Sequence, residues 1–277
     1  MVVSVPDHND PKVAAVRAEL ALIFRLLGEY REHLVLVGGW VPSLLTPQAS
    51  ERHTGSLDID IALDHKAISD DCYERIRGIL EKAGYSPSPG SRFRFVKKVV
   101  VEGQEFLVHL DLLAAEYGGR GKKHEHQHVQ DLEARKARGC DLAFKSPVHL
   151  QLEMALPDGA MAPVRLRIAG VAAFLAMKAF ALAGRDKPKD AYDIVYCLKN
   201  FAGGMEAIAQ DFEKLGDHGL VTEALKHLES HFRTPSHVGP TRVADYLEIR
   251  LPEERVLAQR DAHERVVELL TRLRRTG

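Results

Sequence analysis

Cysteine is scarce in this 277-residue chain, and the three present, Cys72, Cys140 and Cys197, are far apart and outside any CxxC spacing. An odd, scattered set excludes a disulfide framework and a thiolate zinc centre, and it points to a reducing compartment. No apolar run approaches the roughly 20 residues that cross a bilayer. The stretch from Met1 to Lys12 is polar and charged, unlike a signal peptide. A soluble cytoplasmic protein without membrane contact is therefore expected. Charge of one sign is also lacking: the formal net charge is -1. That excludes a uniformly basic coat for nucleic acid, while leaving open a local basic cleft within a balanced total. Internal repeats and low-complexity segments are absent.

The length suits one large domain or two modest ones. Apolar residues at helical spacing predict a helix from Pro11 to Arg31, started by Asp10-Pro11. Leu34 to Val37 reads as a buried strand, Gly38-Gly39 opens a short helix through Leu45, and Pro47 to Arg52 is a polar loop. Ser56 to Leu63 reads as a second strand and Asp70 to Ala83 as a helix, and Pro87, Pro89 and Gly90 break the pattern. Arg92 to Glu102 and Glu105 to Ala114 form a hairpin around Gly103. Further strands lie around Pro147 to Leu156 and Val164 to Ile168. From Gly170 onward the chain reads as helices: Val171 to Ala183, Pro188 to Phe201, Met205 to Leu215, Val221 to Phe232 and Glu253 to Arg275. The fold class is α/β (α+β), a mixed-sheet domain over 1–167 followed by a helical domain over 168–277 that completes the active site.

Two aspartates in the second strand carry the strongest chemical signal. Asp58 and Asp60 are two residues apart, so they share one face while Leu57, Ile59 and Ile61 take the other. Adjacent carboxylates repel, and a cation between them resolves the conflict; hard oxygen ligands suit Mg²⁺ holding a substrate's phosphates. The plainer alternative is a pair on a solvent-facing strand. Gly38 and Gly39 follow a strand and precede a helix, a place where backbone N–H groups can approach a phosphate, or simply a tight connection. Ser56 and Thr54 extend the aspartate face with hydroxyls. Asp111 puts a single carboxylate near the end of an apolar strand. It is either a third metal ligand or a partner for Lys97, Lys98 or a neighbouring arginine.

A second block runs from Phe174 to Ile194. Lys178 interrupts an apolar helix, and Arg185, Lys187 and Lys189 crowd the turn before the next one, a concentration of cations that suits a triphosphate. Alternatively Lys178 snorkels, Asp190 favours a helix N-terminus, and Asp193 pairs with Lys189 at i,i+4. The alternation His124-Glu125-His126-Gln127-His128 reads as a solvated loop and not a zinc site. Arg135, Lys136 and Arg138 read as a solvated helix face.

Together Gly38-Gly39, Asp58-Ile59-Asp60 and Asp111 resemble the nucleotidyltransferase superfamily of the DNA polymerase beta type. Lys178 and the run Arg185-Asp186-Lys187-Pro188-Lys189-Asp190-Ala191-Tyr192-Asp193 add a likeness to its AbiEii/AbiGii toxin-like branch, which includes the MenT toxins. The resemblance spans about Leu34 to Leu198. The gap from Gly39 to Asp58 is longer than usual, and Lys189 stands where an arginine is common.

The resemblance implies transfer of a nucleoside monophosphate from an NTP to an acceptor hydroxyl, with Mg²⁺ or Mn²⁺ required. The acceptor in MenT-like members is the tRNA 3′ end, with an antitoxin protein as restraint. Carried over, Asp58, Asp60 and Asp111 bind metal, and Asp111 also helps activate the acceptor. Gly38, Gly39 and Ser56 hold the phosphates, together with Arg185, Lys187 and Lys189. Lys178 contacts the triphosphate, and Asp190 acts as a base or orients Lys178. Competing expectations keep the chemistry with a small molecule such as an antibiotic, or a protein, as acceptor, or make the chain a catalytically silent nucleotide-binding partner.

Overall fold

The computed structural model describes residues 10–64, 67–89, 91–115, 126–129 and 132–276. The chain is a mixed α/β protein with a helical C-terminal region, and it divides into two compact units, each described separately below. The first comprises Pro6–Val41 and Thr54–Ala169; the second comprises Pro42–His53 and Gly170–Gly277. Pro42–His53 was read in sequence as part of the sheet domain, but it clusters with the helices.

Nine strands among the described residues build the first unit: β1 (Leu34–Val37), β2 (Asp58–Leu63), β3 (Ser86–Ser88), β4 (Ser91–Val101), β5 (Gln104–Ala115), β6 (His126–Val129), β7 (Leu132–Ala137), β8 (Val148–Ala155) and β9 (Met161–Ile168). Seven follow the order β3-β4-β5-β2-β1-β9-β8, while β7 pairs with both β5 and β6. β1 is antiparallel to β2 and parallel to β9, and β2 is parallel to β5, so the sheet is mixed. All four residues of β1 are buried, as a strand covered on both faces requires.

Helix α1 (Pro11–Leu26) starts where Asp10 accepts a hydrogen bond from the backbone N–H of Lys12, with Pro11 in the first turn. It buries Val13, Val16, Leu20, Ile23 and Phe24. Expected to reach Arg31, it stops earlier, and Gly28–His33 forms a 3₁₀ turn. Glycine's low helix propensity accounts for the break. Lys97 pairs with the buried Glu19 of this helix, which also accepts a hydrogen bond from the Tyr85 hydroxyl, so Lys97 is not the partner of Asp111.

After the 3₁₀ turn Gly38–Trp40 comes α2 (Val41–Leu45), and α3 (Asp70–Lys82) follows β2. Of the prolines after α3, Pro87 sits in β3, an edge position where a missing N–H is tolerated, while Pro89 lies in the turn that follows. His124 and Glu125 lie outside the described residues, whereas His126–Val129, read as loop, is β6. Arg135 and Lys136, read as a helix face, belong to strand β7.

The helical unit contains α4 (Val171–Gly184), α5 (Pro188–Asn200), α6 (Gly204–Glu213), α7 (Gly219–His231), α8 (Val238–Tyr246) and α9 (Pro252–Thr276). Helix α8 was not among the helices expected from the sequence. Pro240 falls in the first turn, where its absent N–H has no helical partner to lose. A Cβ at Gly239 would lie 2.7 Å from the Phe232 ring, so the glycine permits that close packing. Segment 42–53 is tied to α5 by side chains. The Tyr196 hydroxyl donates to the Glu51 carbonyl (2.7 Å), Lys199 pairs with Glu51 (2.9 Å), and His53 meets Asp193. No helix among the described residues is long and apolar enough to cross a membrane.

Candidate active site

In the sheet unit, strand register collects the predicted carboxylates. Ile59 and Ile61 are fully buried while Asp58 and Asp60 are half-buried on the opposite face, as a two-residue period demands. Asp60 is the register partner of Asp111 on β5, and Asp111 is in turn the partner of Arg94 on β4. Register partners share a face, so Arg94, Asp111 and Asp60 form a row across three strands. One rung away, Asp58 is opposite His109.

Asp111 is only 2 % exposed. Both of its oxygens accept from the Arg94 guanidinium: Nε to Oδ1 and Nη2 to Oδ2, each at 2.6 Å. Such a forked contact is among the strongest hydrogen-bonded ion pairs. Arg94 holds its proton more firmly than an ordinary arginine, first through the Asp111 hydrogen bonds and then against the cost of burial, with Asp58 and Asp60 contributing in the same direction. It therefore sits in the field of all three carboxylates. Among the described residues, no three potential ligand side chains are already gathered closely enough to hold a metal.

Gly38 is built around Asp60. Its φ is +72°, a left-handed value that suits glycine, and an added Cβ would fall 2.0 Å from Asp60 Oδ2. Backbone and carboxylate can approach this closely only without a side chain at 38. Gly39 is buried in the same turn, and Ser56 Oγ accepts from the Asp58 backbone N–H at 3.3 Å. The helix expected to open at Gly38 is one 3₁₀ turn followed by five α-helical residues. It is too short for a sizeable dipole, so any anion attraction there rests on individual N–H groups.

The helical unit holds a second cluster. Lys178 of α4 is 7 % exposed, and Asp190 and Asp193 of α5 are fully buried. Lys178 Nζ lies 2.7 Å from Asp190 Oδ1 and 2.6 Å from Asp193 Oδ2. Arg185 grips Asp190 with Nε and Nη2, at 2.7 and 2.9 Å. Lys189 Nζ is 2.6 Å from Asp193 Oδ1, the i,i+4 pair that the spacing allowed. Lys187 is exposed at the start of α5. His53 Nε2 is 2.9 Å from Asp193 Oδ1, and the ring stacks on Tyr192.

The charges in this cluster follow from burial and partners. Burial opposes the charge on Lys178, but Asp193 and Asp190 outweigh it and hold the ammonium above its ordinary range. For both aspartates burial favours the neutral acid, and Lys178 leads the cations that overcome it, driving Asp193 well below the usual carboxylate range. Lys189 is lowered, mainly by burial. His53 is pushed down to about 4 by burial and by Lys189, against the pull of Asp193, so it is neutral at pH 7.

Arg94, His109 and His53 escaped the sequence reading. Arg94 was within reach: counting outward from the turn at Glu102-Gly103, which pairs Val101 with Gln104, brings Asp111 opposite Arg94. His109 stands in the quoted strand opposite Asp58, and among the described residues its buried Nδ1 has no hydrogen-bond partner. His53 carries no local signal, because its partner is 140 positions away.

A nucleotidyltransferase family model matches residues 17–199, a span that includes both clusters. A search of curated proteins returned no match.

Proposed function

Because the chain belongs to the nucleotidyltransferase family, we propose that it moves a nucleoside monophosphate from an NTP to an acceptor hydroxyl, releasing pyrophosphate, with the aspartate row as its reaction centre. The observation that carries this reading is the register that aligns Asp60 with Asp111 beside Asp58, on the polar face of a strand whose other face is core. These hard oxygen donors fit Mg²⁺ or Mn²⁺. Asp58 and Asp60 would hold the ion, with Asp111 as third ligand once released from Arg94. Such an ion, when bound, supplies Lewis-acid stabilisation of the charge that develops on the transferred phosphoryl group.

The chain's own groups do the rest. Gly38 keeps the backbone clear beside Asp60, and Gly39 and Ser56 offer an N–H and a hydroxyl to phosphate oxygens. Asp111 orients the acceptor hydroxyl and draws on its proton. In the helical cluster Asp190 orients Lys178 through their 2.7 Å contact. Arg185, Lys187 and Lys189 provide positive charge suited to a triphosphate, and Lys189 does so as a point charge without an arginine's fork.

For the acceptor we propose an RNA, the tRNA 3′ end. The support is the likeness of Lys178 and the Arg185 to Asp193 run to the AbiEii/AbiGii toxin-like branch. On that reading the protein is a toxin acting in the cytoplasm and held in check by an antitoxin protein. The test is incubation with each labelled NTP, Mg²⁺ and total tRNA. Label is expected at the RNA 3′ end; label on an aminoglycoside or protein instead would overturn the RNA acceptor, and NTP binding without transfer to any acceptor would overturn the catalytic reading.

A further inference from the structure

Arg94 occupies an unusual place for a cation. It is 31 % exposed at its side chain, yet both of its forked contacts go to a carboxylate that is almost wholly buried. In the same row Asp60 is the next register partner of Asp111, and Asp58 lies two residues along its strand. Carboxylates aligned in one row on one face repel one another, and positive charge among them relieves that repulsion. The row carries that charge in the guanidinium.

We propose that Arg94 is the built-in counter-cation of the aspartate row, so that a divalent metal binds by exchange: the metal takes up Asp111 as the Arg94 fork lets go. This rests on the metal reading given above. Three observations support exchange over passive orientation. Both Asp111 oxygens are engaged by Arg94, so neither is unencumbered for an ion. No three-ligand cluster is pre-gathered among the described residues while that pair is intact. Finally, the partial exposure of Arg94 gives the guanidinium a route to solvent when it releases, whereas Asp111 has none. The consequence is a site that stays compact without metal and takes up metal only at a concentration sufficient to displace the fork. Arg94 thus acts through Asp111, as a positioning and affinity-setting residue.

The test is direct Mn²⁺ binding to the full chain, by calorimetry or by loss of the free-ion paramagnetic signal, with no nucleotide and no turnover. Losing a charged fork worth about 1.5–3 kcal/mol makes Mn²⁺ bind roughly tenfold tighter or more in Arg94→Gln. Arg94→Lys keeps the charge without the fork and shows a smaller gain, which serves as the readout if Arg94→Gln fails to fold. Mn²⁺ affinity unchanged or weakened in the folded variants overturns the exchange. If wild-type binding is nevertheless lost in Asp58→Asn, the metal reading survives that result. Absence of Mn²⁺ binding in the wild type and in both Arg94 variants overturns both.

Discussion

The sheet cluster and the helical cluster are built from the same residue types with opposite balance. Asp58, Asp60 and Asp111 lie in the field of the Arg94 cation, whereas Asp190 and Asp193 are enclosed by Lys178, Arg185 and Lys189. Buried charges persist only when paired, so the helical carboxylates have become part of that unit's framework. In the sheet row Asp58 and Asp60 are half-buried, so water partly screens them and an added cation can reach them. On the function proposed above, the sheet row takes a metal and the helical cations favour phosphate.

Removing one carboxylate from each cluster separates the two most sharply. Asp58→Asn is expected to lower nucleotidyl transfer by roughly a thousandfold or more, as removal of a central electrostatic group does. Its metal-free thermal midpoint should stay unchanged or rise, because like-charge repulsion is relieved. Asp193→Ala should do the reverse to stability. It leaves Lys178 and Lys189 buried beside an empty place and costs about 3–5 kcal/mol in denaturant unfolding. A destabilised Asp58→Asn or an unharmed Asp193→Ala would dissolve the contrast.

Acid should affect the helical cluster first. His53 has a folded pKa of about 4 against 6.5 for the ordinary side chain. The unfolded chain therefore takes up its proton first as pH falls. Stability is full above pH 6.5 and declines between there and about pH 4, by roughly 3 kcal/mol for this group. Asp190 and Asp193, held below the usual carboxylate range, add their loss only at lower pH. His53→Gln should flatten the slope between pH 6.5 and 4 in pH-dependent denaturant titrations, and an unchanged slope would remove His53 from the account. The smallest effect is expected at the sheet turn. Gly38→Ala forces a Cβ into the space of Asp60 and strains a positive φ, at about 1–3 kcal/mol, with weaker Mn²⁺ binding measured alongside.

Local patterns were legible because short-range physics produces them. The two-residue period of Asp58-Ile59-Asp60-Ile61 marked both a strand and a shared polar face, and that face is seen. The hairpin around Gly103 and most of the late helices follow from β-branched runs and helical spacing. The early end of α1 at Gly28 is a local effect; elsewhere a long-range contact overrode a local preference. Segment 42–53, placed with the sheet domain from the sequence, clusters with the helices, where Tyr196 and Asp193 hold it to α5. Asp193 was read only as an i,i+4 partner of Lys189, yet it also takes Lys178 and His53.

By itself the sequence determined the strand-glycine-strand order, the pairing of Asp58 with Asp60 on one face, and the cationic turn before Pro188. These depend on spacing along one backbone, which chain geometry imposes everywhere. Only the tertiary structure decided that Asp111, which hairpin register sets opposite Arg94, lies beside Asp60, and that Lys178 is enclosed by two buried aspartates. Strand register and helix packing are set by burial summed over the whole core, and no window of the sequence contains that sum.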